Sequence, residues 1–161
     1  MSAKNILLYL KDETAANIAQ DENWHGAIQE TDSDYLMVVD ANLASFKTDA
    51  AMERSISYAA DIGATQKTGR LKLTYRHNGG FDWRTTTYRT YTRIYAPFGS
   101  RLVSANGFAG KLGSGAQQLD TYEEAGHTVF AGFIKIEPGA SRTVEVEYEL
   151  PEQVSGSGNY A

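Results

Sequence analysis

The sequence has no cysteine, only three prolines and two tryptophans, and three histidines among its 161 residues. Without cysteine there is no disulfide framework, thiolate metal site or cysteine nucleophile. The compartment stays open on that count, since bacterial surface domains also do without cysteine. Long apolar runs are missing too. The N-terminal stretch Ile6 to Leu10 is five residues long, against the roughly 20 that span a bilayer, and no cleavage-like region follows it. The chain is expected to be soluble, with any signal or anchor lying upstream. His25, His77 and His127 are far apart with no metal-ligand spacing, and no serine sits in a nucleophile-elbow context. The acid pairs Glu123-Glu124 and Asp32/Asp34 read as solvated rather than as acid and base for glycoside cleavage. No enzyme activity, metal or cofactor is therefore expected.

What is present points to strands. The chain is 42% hydrophobic and 22% charged, a globular balance, and its 15 glycines and 10 tyrosines lean toward β structure with many turns. The length fits one domain. The net charge of −5 hides an asymmetry: Arg70 to Arg101 holds seven bases and the single acid Asp82, so this island carries +6 and the remainder −11. The acidic balance of the whole argues against nucleic acid as a partner.

Lys4 to Leu10 reads as a first strand, and Asp12 as the N-cap of a short helix through about Gln20, with Glu13 in its first turn. Trp24 and Ile28 flank His25-Gly26 and are expected to tuck the returning chain against the core. Tyr35 to Val39 is an apolar strand that empties into a polar loop carrying Asp40, Asn42, Lys47, Thr48 and Asp49. Ala51 to Ile62 alternates, with Met52, Arg54, Ile56, Tyr58, Ala60 and Ile62 on one parity; Arg54 is the misfit. After a turn at Gly63 to Gly69 comes Arg70 to Arg76, then the loop HNGGFDWR with Asn78-Gly79-Gly80 and the exposed-looking Phe81 and Trp83. Thr85 to Ala96 is the longest β-prone run. One of its sides is Tyr88, Thr90, Thr92, Ile94 and Ala96; the other is Arg89, Tyr91, Arg93 and Tyr95. Arg101 to Ala105 and Leu119 to Glu123 are short strands. His127 to Ile136 is apolar on both parities and belongs inside a sheet. Ser141 to Leu150 alternates Val144, Val146, Tyr148 and Leu150 against Thr143, Glu145, Glu147 and Glu149. Seven or more strands without a long helix or repeat predict a mainly β fold, an antiparallel immunoglobulin-like β-sandwich with a short N-terminal strand-helix elaboration. Residues 1–150 form this one domain. Residues 151–161 are a linker that ends, at Asn159 to Ala161, either in a frayed tail or on the start of a truncated strand; in the second case an edge left open there would pair with another protein strand.

Two groups of residues are candidates for function. The basic, aromatic face of Arg76, Arg89, Tyr91, Arg93 and Tyr95, with Phe81 and Trp83 in the adjoining loop, suits an anionic glycan: rings stack on sugars while guanidinium groups take carboxylates. The bland alternative is sheet cover paired with the acidic strand Glu145, Glu147 and Glu149. The polar loop Asp40, Asn42, Lys47 and Asp49 suits turn hydrogen bonds; its spacing does not match a calcium loop, and no metal is expected. Lys47 and Asn42 beside an acid also have the composition of an intramolecular isopeptide crosslink, which requires burial.

KNILLYLKDE, the Trp24 segment, YLMVVDANLASFKTD, RLKLTYRHN, YTRIYAPFGS and VFAGFIKIEPGASRTVEVEYELP together resemble the C-terminal region of a bacterial family of large proteins known only as a domain of unknown function. The resemblance implies an extracytoplasmic, envelope-facing sandwich. It also implies a membrane-anchored parent protein, cell-envelope polysaccharide genes nearby, and a further strand following a segment like Gly158 to Ala161; acidic envelope polysaccharide is the partner that the Arg/Tyr face would then take. It brings no catalytic residues. A non-catalytic structural or interaction module of the cell envelope is the resulting expectation, with glycan binding and strand acceptance as its alternatives.

Overall fold

The computed structural model describes residues 8–22, 24–26, 28, 33–44, 46–63, 66–110 and 119–154. The chain divides into two compact units, Met1–Glu30 and Thr31–Ala161.

In the first unit, helix α1 (Glu13–Asp21) begins where the sequence predicts. Asp12 is extended, and its carboxylate accepts the Ala15 N–H at 2.9 Å, satisfying one of the helix's orphan donors. The returning chain is tied back by two backbone bonds, Leu8 N–H to Trp24 O at 2.8 Å and Trp24 N–H to Ala19 O at 2.7 Å. Trp24 itself stays 47% exposed, so backbone bonds rather than a sunken indole make this turn. Of the expected first strand, residues 4–7 lie outside the described residues, and Leu8 to Leu10 are not in a strand.

The second unit is a β-sandwich of two antiparallel four-stranded sheets. Its strands are β1 (Met37–Asn42), β2 (Met52–Ile62), β3 (Lys67–His77), β4 (Tyr88–Pro97), β5 (Arg101–Asn106), β6 (Asp120–Glu124), β7 (His127–Ile136) and β8 (Ser141–Glu149). One sheet runs β1-β4-β7-β6 and the other β2-β3-β8-β5. The alternations in the sequence are the two faces of these strands. Leu71, Leu73 and Tyr75 of β3, Ile94 of β4, Phe130 and Ile134 of β7, and Val144, Val146 and Tyr148 of β8 fill the space between the sheets, each at most 2% exposed. Each aliphatic or phenylalanine side chain buried there contributes about 1.5–3 kcal/mol of hydrophobic stabilisation. Strand β7, apolar on both parities, lies between β4 and β6 as expected. The Tyr148 ring crosses its partner Gly69 so closely that a Cβ at position 69 would come within 2.6 Å of it; glycine makes room for the aromatic.

Three strand boundaries differ from expectation by three residues. Strand β1 continues to Asn42, paired with Thr90, so Asp40 and Asn42 belong to a strand and not to a loop; backbone pairing does not stop where the side chains turn polar. Strand β3 starts at Lys67, where the turn was expected, because Lys67 and Thr68 pair with Ile62 and Asp61. Strand β4 starts only at Tyr88, since Thr85 and Thr86 are engaged by loop groups.

Candidate functional site

The β1–β4 pairing brings the β1–β2 and β3–β4 connections to one end of the sandwich, where the Asn78 N–H donates to Ala51 O at 2.9 Å and the Thr86 N–H to Thr48 Oγ1 at 3.3 Å. The β3–β4 loop is held from within. Asp82 Oδ1 accepts the N–H groups of Arg84 and Thr85, both at 2.7 Å, and Thr85 Oγ1 donates to Gly80 O at 2.7 Å. Those backbone donors keep the Asp82 carboxyl below its ordinary range. Beneath the loop, buried His77 accepts the Gly79 N–H on Nδ1 at 3.1 Å, which leaves Nε2 as the protonated nitrogen that donates to Thr86 O at 2.7 Å. The loop's polar atoms are thus turned inward and its rings outward: Phe81 is 72% and Trp83 80% exposed. Phe46, 46% exposed, meets Trp83 from the neighbouring connection. Phe46, Lys47, Trp83 and Arg84 line a shallow groove of about 310 Å³, and the Arg84 guanidinium carbon lies 5.3 Å from the Trp83 ring centroid.

The predicted Arg/Tyr face exists only in part. Arg89, Tyr91, Arg93 and Tyr95 do share the outward side of β4, but three of them bridge across β7 to acids of β6. The Tyr91 hydroxyl donates to Asp120 at 3.0 Å, the Tyr95 hydroxyl to Glu124 at 3.0 Å, and Arg93 reaches Glu124 at 3.4 Å. Ala131 and Val129 lie beneath these bridges with no exposed surface. Burial, then the bond to Asp120, pushes the Tyr91 phenol up to about 12, and burial followed by Glu124 raises that of Tyr95. Tyr95 is 2% exposed and offers no surface to a ligand. Arg76 does not join this face at all. It lies on the outward side of β3 in the other sheet, between Glu53 and Ser141. The acidic last strand also proves unrelated to the Arg/Tyr face: in β8, Glu147 pairs with Arg70 at 3.1 Å and Glu145 with Lys72 at 3.2 Å.

The polar group around Asp40 is an inter-sheet network. Asp40 points inward with its side chain 11% exposed, and accepts from Thr92 Oγ1 at 2.6 Å, Tyr75 OH at 3.1 Å and Arg54 Nε at 2.9 Å. Arg54 also donates to Asp49 and to Tyr88 OH, each at 2.7 Å, and Asn42 Nδ2 donates to Asp49 at 2.8 Å. The positive charge between these acids is therefore the Arg54 guanidinium. Lys47 is exposed at the start of a 3-10 turn (Thr48–Ala51) and does not share a buried triad with Asn42, so the geometry a Lys–Asn crosslink requires is not assembled.

Phe46 and Arg84 were not singled out from the sequence. Their neighbours Lys47 and Trp83 were, but nothing in the chain's order says that residues nearly forty positions apart line one groove. Of the acid pairs, Glu123 is exposed, Glu124 is bonded to Arg93 and Tyr95, and Asp34 accepts the Tyr58 hydroxyl at 2.9 Å; Asp32 lies outside the described residues. Among the described residues no group of three or more His, Asp or Glu is placed to hold a metal ion, and no helix is long and apolar enough to cross a membrane. No known family model, curated protein or solved structure matches the chain.

Proposed function

We propose that the protein is a non-catalytic interaction module of the bacterial cell envelope, acting outside the cytoplasm, and that it binds acidic polysaccharide at the loop end of the sandwich. The observation that supports this reading is the exposed Trp83, held out on an internally bonded loop with Arg84 over its ring and Phe46 and Lys47 lining the groove beside it. A pre-ordered ring loses little entropy on contact with the apolar face of a sugar, and the two cations suit the carboxylates of an acidic polymer. The envelope setting rests on the sequence resemblance. Relative to the Arg/Tyr face, the loop end is the better candidate, because Tyr91, Arg93 and Tyr95 already meet protein acids.

Affinity electrophoresis in gels containing alginate or polygalacturonate, with dextran as the neutral control, tests the proposal. The acidic gels should retard the protein in a salt-sensitive way. Trp83→Ala should weaken retention roughly tenfold, equivalent to about 1.4 kcal/mol, and Arg84→Ala should weaken it on acidic polymer. Unchanged retention in both variants would remove the reading, as would equal retardation by dextran.

A further inference from the structure

The four sheet edges are not equivalent. Edge strand β1 has six residues and β6 five, and β5 is kinked by a register shift between Leu102 and Ser104. Short or bulged edges are poor templates for another strand. Edge strand β2 has neither protection. It runs eleven residues in unbroken register with β3, and among the described residues no strand pairs with its other side. From Glu53 to Ser57 every residue is exposed, on both faces. Ile56 belongs to the inward parity, opposite Leu73, yet it is 57% exposed. The outward parity carries Glu53 and Asp61 at its ends and the small residues Ser55, Ser57 and Ala59 between them; on the β3 side Arg76 stands beside Glu53, and Asn78 Nδ2 donates to Glu53 at 3.4 Å.

We infer that β2 accepts an extended segment of a different protein as an added antiparallel strand. The segment carries basic residues eight positions apart that meet Glu53 and Asp61, and on its other face an apolar residue that covers Ile56. Main-chain bonds along the edge supply affinity, and the two alternating faces supply selectivity. A second copy of this chain is a poorer occupant: the register that pairs all of β2 with itself is centred on Ser57 and sets each Glu53 opposite Asp61 of the other copy, like charge against like. This inference is independent of glycan binding at the loop end.

The test uses a synthetic eleven-residue peptide of Thr and Val with Lys at its second and tenth positions and Ile at its seventh, which in antiparallel register face Asp61, Glu53 and Ile56. A control peptide carries Pro at its centre. Amide exchange of the full chain, followed by NMR, should slow at least tenfold at alternating β2 positions with the first peptide and not with the second. The double variant Glu53→Lys/Asp61→Lys, changed only at exposed positions, should bind that peptide at least tenfold more weakly and prefer its Glu-for-Lys counterpart. Protection absent from β2, protection at another edge, or indifference to charge reversal would overturn the inference. So would concentration-dependent protection of β2 in the protein alone, which would make a second copy the occupant.

Discussion

Arg54 carries a positive charge into the gap between the two sheets. It sits in an inward row between Met52 and Ile56, where an arginine is costly to bury unless it is paired. The structure pairs it with Asp40, Asp49 and Tyr88 across the gap between the sheets. Burial works against its charge, but the bonds to Tyr88, Asp49 and Asp40 outweigh burial and raise its pKa above the ordinary arginine value. Arg54→Met would leave the Asp40 carboxylate inside without its counter-ion. A fully buried pair broken this way costs about 3–5 kcal/mol, and because Arg54 is one-third exposed the expected loss is about 2 kcal/mol. Asp40→Asn should cost a similar amount, while the double variant should cost clearly less than the two combined. Urea denaturation of the four proteins measures that coupling; strictly additive losses would mean that the pair is inert.

At the scale of elements, the β3–β4 loop shows how a connection comes to hold a surface. Asp82 was visible in the sequence only as the lone acid in a basic island, yet its carboxylate accepts the donors that shape the loop under Trp83. The folded loop depresses the pKa of Asp82, so its contribution is complete above the ordinary value of 3.8 and is lost as pH falls through the lower folded value. In a Trp24→Phe background, Trp83 fluorescence should stay constant from neutral pH down to about 4 and change below it. Asp82→Asn should shift the spectrum at neutral pH and flatten the acid transition; an unchanged spectrum would deny Asp82 this role. The face parities of β3, β4 and β8 were legible because alternation is local and each strand has one core side. The ends of β1 and β4 were not, since Asn42 is strand and Thr85 is loop by virtue of partners distant in sequence.

At the scale of the whole molecule, the tyrosines set the response to alkali. Burial, first of all, raises the pKa values of Tyr58, Tyr75, Tyr88, Tyr91 and Tyr95, with Asp34, Asp40, Asp120 or Glu124 adding to it. A phenol whose folded pKa exceeds its unfolded value stabilises the fold fully below pH 10, and that contribution is lost as pH rises, because the unfolded chain releases its proton first. Thermal stability should therefore fall steeply beyond about pH 10. Tyr91→Phe, which cannot ionise, should make that fall shallower. A stability curve that stays level to pH 12 would contradict the account.

What the sequence determined by itself is the class of fold and the sidedness of its strands, because side-chain alternation and turn residues act over a few positions and leave their pattern in the chain. It also determined the helix start at Asp12, a cap whose acceptor and donor are three residues apart. Tertiary structure decided the rest. It separated Arg76 from Arg89, Arg93 and the tyrosines by placing them in different sheets, and gave β4 the acids of β6 instead of those of β8. It also turned Asp40 from a loop acid into the centre of an inter-sheet network and joined Phe46 to Trp83. Each of these outcomes depends on which strands become neighbours, a choice made by the packing of two whole sheets and carried by no local stretch of residues.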